Sequence, residues 1–225
     1  MEASSDAKKR FTKMAKDVRN KVREHLGPVW PHRVKLGLQF NTGGNAYAYF
    51  ELRGDRGNIF IGDDLLQLPE SDWLLVYLHE LAHFVQFGRL RMHGIPNCHS
   101  QRCEDAAERC ATSCENKWVE ELYPEAEQTL RDWNRYMMGR VELDRLVNKE
   151  KRHLELDDVV DVFANQGVPP RLTRPAQELQ RVQRLPGQVR GYVYGDISAL
   201  PLCPCSLQTL RVATGCGGGC AGAVP

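Results

Sequence analysis

Leu74 to Gly88, LLVYLHELAHFVQFG, is apolar almost throughout, yet it carries His79, Glu80 and His83. Leu74, Leu75, Val76, Leu78, Leu81, Ala82, Phe84 and Val85 predict a helix buried on most sides. Two histidines four residues apart lie little more than one turn along such a helix. Both imidazoles therefore leave from one face and can hold a single metal ion. Glu80 sits one position round, where its carboxylate can polarise a water at that ion. Burying three such side chains without partners is costly, and a shared metal would supply the partners. A polar stripe turned to solvent is the alternative.

Upstream, the hydrophobic period changes. Val34, Leu36, Leu38 and Phe40 alternate, predicting a strand, and Asn41 to Gly44 reads as a turn. Ala46 to Leu52 is a second strand, Arg53 to Gly57 a second turn, and Asn58 to Ile61 a third strand. The fold class expected is α+β, with a three-stranded antiparallel meander packed on the histidine helix and on further helices. Ser71 or Asp72, after Pro69, would cap that helix and Gly88 would end it. Earlier still, residues 6–26 place Phe11, Met14, Val18 and Val22 at helical spacing. The other face is basic, with Lys8, Lys9, Arg10, Lys13, Lys16, Arg19, Lys21 and Arg23. A solvated face explains this charge; contact with the phosphates of DNA is the second reading.

Downstream, helices are expected from about Ser100 to Leu122, around Trp133, Met137 and Val141, and from Leu156 to Ala164, the last stopped before Pro169-Pro170. Residues 171–192, with Arg171, Arg174, Arg181, Arg184 and Arg190, read as an arm or linker. Four regions result: a basic N-terminal helix (1–28), a metal-bearing core (29–150), a helix with an Arg-rich arm (151–199), and a Cys/Gly-rich tail (200–225). Across 225 residues the net charge is +1, so the overall balance singles out no partner. No apolar run follows the basic N-terminus and none reaches membrane-span length, so an intracellular protein away from membranes is expected. The eight cysteines then read as thiols or metal ligands. Cys103, Cys110 and Cys114 share a helical face and suit core packing.

A catalytic zinc site uses three protein ligands and leaves one position open. Two come from His79 and His83; the candidates for the third are His93, His99, Glu104 and Glu108. His99 is preferred, because it opens the next helix and needs no long side chain to reach the ion. Glu104 is the alternative. In the tail, Cys203, Cys205, Cys216 and Cys220 are spaced to close a second, structural zinc site, the other reading being free thiols.

H-E-L-A-H preceded by strands and followed by a loop and a histidine resembles the SprT-like zinc metallopeptidases, a zincin family. The resemblance covers about residues 30–115 and maps His79, Glu80 and His83 onto the motif, with His99 as the third ligand. Ser100 and Cys103 stand where that family has a glycine and an aromatic residue. The resemblance implies cleavage of DNA-associated proteins. Glu104-Asp-Ala-Ala107-Glu-Arg-Cys110-Ala111 is similar instead to the E-x-x-A-x-x-F-A helix of the ImmA/IrrE-like minigluzincins, whose third ligand is a glutamate. Either implies a zinc endopeptidase with Glu80 as general base and a protein substrate, with the strand ending near Ile61 as a rim of the cleft. A non-catalytic, zinc-stabilised module binding nucleic acid through residues 8–23 and 171–190 is the rival.

Overall fold

The computed structural model describes residues 4–41, 47–92 and 101–184; for residues 41, 101–105 and 184 only the backbone is described. Helix α1 (Ser5–Leu26) is capped by Ser4, whose hydroxyl accepts from the amide of Ala7 at 3.1 Å. Ala7, Phe11, Ala15, Val18, Val22 and Leu26 form its buried face. The helix ends where Gly27 takes φ +50°, a left-handed conformation that glycine adopts freely, and Pro28 then opens a short 3₁₀ turn.

The strands are β1 (Lys35–Asn41), β2 (Ala48–Arg53) and β3 (Arg56–Gly62). They form one mixed sheet in the order β1-β3-β2, which corrects the expected antiparallel meander. β2 and β3 make the antiparallel hairpin, turning at Gly54 with φ +60°. β1 skips its neighbour in sequence and pairs parallel with β3, from Lys35↔Arg56 to Asn41↔Gly62. The physical reason lies in β3 itself, the most buried strand, with Ile59 and Ile61 fully enclosed. The central position pairs both of its edges.

Helix α2 (Glu70–Met92) carries the two histidines. It runs past Gly88 instead of stopping there. A Cβ at that position would lie 2.8 Å from Cβ of Pro31, so this glycine admits the chain after α1. Asp72, expected as a cap, is completely buried. Trp73, Leu75, Leu78, Leu81 and Phe84 of α2 lie in the core with Phe11, Ile59 and Ile61. Each large side chain so buried stabilises the fold by roughly 1.5–3 kcal/mol, which fixes the helix on the sheet.

Helix α3 (Gln101–Leu122) packs along α2. Its Cys110 and Cys114 are buried in the core, while the side chain of Cys103 lies outside the described residues. Pro124 breaks the helix, and α4 (Glu127–Asn148) follows. α5 (Leu156–Asn165) approaches α4 closely at Gly139, where a Cβ would meet the Phe163 ring at 2.6 Å. α6 (Pro175–Arg184) occupies part of the segment expected to be an arm. No helix among the described residues is long and apolar enough to cross a membrane.

Three arginines expected on that arm are instead bound to carboxylates. Arg171 donates to Asp132 at 2.8 Å and to Asp72 at 3.3 Å, and the indole of Trp133 donates to Asp72 at 2.8 Å. Arg174 pairs with Asp64 at 2.7 Å and covers the Tyr47 ring. Arg181 donates to Glu178 at 2.6 Å and to Asp144 at 3.0 Å.

Candidate metal centre

The two histidines of α2 do share a face. Their ring centroids lie 4.9 Å apart with the planes nearly perpendicular, at 83°. α3 lies opposite and brings Glu108 to both. Glu108 Oε2 is 3.2 Å from Nε2 of His79, and Oε1 is 3.5 Å from Nε2 of His83. One ligand atom from each of the three side chains lies within 4.8 Å of the others, so the group can hold a metal ion.

Chemistry and spacing both fit a divalent cation. Two ligands about 2 Å from a tetrahedral centre are about 3.3 Å apart, close to the two separations from Glu108. The far side of His79 is also supported, with Nδ1 3.1 Å from Oε2 of the buried Glu115. A carboxylate behind a ligating imidazole fixes the ring orientation and raises its basicity. Burial opposes charge on His79, but the hydrogen bonds to Glu108 and Glu115 outweigh it and hold its pKa well above the usual histidine value. Burial likewise disfavours the Glu108 carboxylate, and the two histidines overcome this and pull its pKa below the carboxylate range. The pocket therefore demands positive charge, which a proton on His79 meets and which a divalent ion would meet as well. His83 adds a buried Nδ1 without a hydrogen-bond partner among the described residues.

Glu80 is buried beside this group. Burial pushes its carboxyl upward, an effect that the neighbouring His83 and His79 oppose and Glu108 and Glu115 reinforce; the net pKa is raised.

Of the residues expected at the site, His79, Glu80 and His83 are brought together. His93, His99 and the tail cysteines Cys203, Cys205, Cys216 and Cys220 lie outside the described residues, and so does the side chain of Glu104. Glu108, weighed in the sequence but not preferred, is the third member of the group. Glu115 was not foreseen. Its signal is the seven-residue step from Glu108, two helical turns, which returns to the same face. Comparison of the chain with protein-family models, curated proteins and solved structures finds no match.

Proposed function

We propose that the protein is a zinc-dependent endopeptidase. The observation that carries this reading is the joint placement of His79, His83 and Glu108, with Glu80 alongside and Glu115 behind His79. A purely structural metal site needs four closed ligands and has no use for a buried carboxylate at its side.

When bound by His79, His83 and Glu108, Zn²⁺ supplies Lewis acidity toward the scissile carbonyl. Glu80 takes a proton from the attacking water and passes it to the leaving amine, a role suited to its raised pKa. Glu115 keeps the His79 ring turned toward the ion. The outer edge of β2, unpaired among the described residues, would take an extended peptide; β2 packs on α2 through Phe50 against Phe84 and Phe87. β3, the strand that ends at Gly62 and was expected as the rim, is paired on both edges and leaves none for substrate. Among the described residues the third donor is a glutamate, as in the gluzincin type of site.

Zinc stoichiometry and cleavage of an unfolded protein substrate, measured on wild type and on Glu80→Gln, test this reading. Glu80→Gln is expected to keep its zinc and to lose about 10²- to 10⁴-fold in rate. Cleavage at the wild-type rate by Glu80→Gln would overturn the role of Glu80. A wild-type protein that binds zinc and cleaves nothing would overturn the peptidase.

A further inference from the structure

We infer that the outer face of α1 is a docking surface for the phosphate backbone of duplex nucleic acid, bound without regard to sequence. Lys9, Lys13, Lys16, Asn20 and Arg23 fall at steps of four, three, four and three residues. At 100° per residue they occupy about 80° of arc, in a straight line about 21 Å long. All five are exposed. The line lies opposite the buried face formed by Phe11, Val18 and Val22, so the core fixes its direction.

Among the described residues, no carboxylate pairs with the four cations of this line. Lys8 is held by Asp63, and Arg10 by Glu70 and Asp6. Lys9, Lys13, Lys16 and Arg23 have no carboxylate within 4.0 Å among the described residues. The Arg-rich segment differs in this respect, since Arg171, Arg174 and Arg181 are all engaged by carboxylates. At the end of α1, Arg23 shares a surface hollow with Glu24 and His32, and exposed Arg33 follows.

The shape and chemistry of this face distinguish among polyanions. An amphipathic helix that enters a lipid surface buries its apolar side in the bilayer, but the apolar side of α1 is already spent on the protein core. What remains is a rigid row of point charges, which matches a linear polyphosphate. Lysines reaching phosphates position a duplex but do not read base edges. Asp17 and Glu24 border the row on one side, which limits the affinity to the non-specific range, with Kd about 10⁻⁴ to 10⁻⁶ M at physiological salt.

The test uses the full chain and a fluorescein-labelled 20-base-pair duplex of arbitrary sequence. Anisotropy is titrated between 50 and 200 mM KCl for wild type, for Lys9→Gln/Lys13→Gln/Lys16→Gln, and for Lys149→Gln/Lys151→Gln, which alters exposed lysines elsewhere. Thermal melting of each confirms folding. Wild type should bind with affinity falling steeply as salt rises, and the triple variant should show a log–log slope shallower by about 2 to 3. The double variant should match wild type. No duplex binding by wild type at 50 mM KCl would overturn the inference, as would a folded triple variant with an unchanged slope. Binding to vesicles containing phosphatidylserine in place of the duplex would overturn it too, by making the partner a lipid surface.

Discussion

Glu115 Oε2 lies 3.1 Å from Nδ1 of His79, on the side of the imidazole turned away from Glu108. α3 therefore holds the first histidine of α2 from both sides, with Glu108 on the Nε2 side and Glu115 behind the ring. Glu115→Ala should weaken zinc binding about 10- to 100-fold while leaving the stoichiometry at saturation unchanged. Competition against a chromogenic chelator measures this. An affinity equal to wild type would show that the ring keeps its orientation without help.

The identity of the third ligand can be read from metal retention. Glu108→Gln should lose zinc on dialysis against a mild chelator, whereas Glu104→Gln and His99→Asn should retain it. Metal analysis by mass spectrometry separates these outcomes, and zinc lost from His99→Asn alone would return the site to a three-histidine type.

Asp72 is completely buried at the start of α2 and receives donors from Trp133 and Arg171. Asp72→Ala should strand the Trp133 indole N–H and the Arg171 Nε–H, while Arg171 keeps its bond to Asp132. The cost is expected at roughly 2–4 kcal/mol, below that for a fully buried pair because Arg171 keeps some access to water. Urea unfolding measures the loss. Trp133→Phe in the Asp72→Ala background should then cost less than in wild type, since the indole has already lost its acceptor.

Acid should weaken the attachment of α6 to α4. Burial disfavours the Glu178 carboxylate, but Arg140, Arg181 and the hydroxyl of Tyr136 outweigh it and lower its pKa below the ordinary 4.5. A carboxyl depressed on folding contributes stability that is fully present above its unfolded value. That contribution is lost as pH falls through the lower folded value. Stability measured from pH 6 down to pH 3 should fall less steeply for Glu178→Gln than for wild type. Parallel curves would remove Glu178 from the acid response.

The sequence makes visible what depends on period and spacing. Phe11, Val18 and Val22 announce α1; His79 and His83 announce a shared face; Cys110 and Cys114 announce core positions. Strand order is different, because it depends on which strand gains most from having both edges paired. Ile59 and Ile61 settle that only against the helices. Glu104 and Glu108 are one turn apart on one face, and spacing alone cannot choose between them. The register of α3 against α2 brings Glu108 to both imidazoles, which no sequence spacing reveals. Arg171 and Arg181 read as free charge because their partners Asp72, Asp132 and Asp144 stand 99, 39 and 37 residues away in sequence.

Gly167-Val168-Pro169-Pro170 looks like a natural place to trim the chain, but the latch between Arg171 and Asp72 says otherwise. Cutting there would remove Leu172 and Val182 from the hydrophobic interior, together with the cation that meets the first turn of the histidine-bearing helix. The packed interior thus extends at least through Val182, and a shortened version that fails to bind zinc would be reporting a lost scaffold rather than a lost ligand.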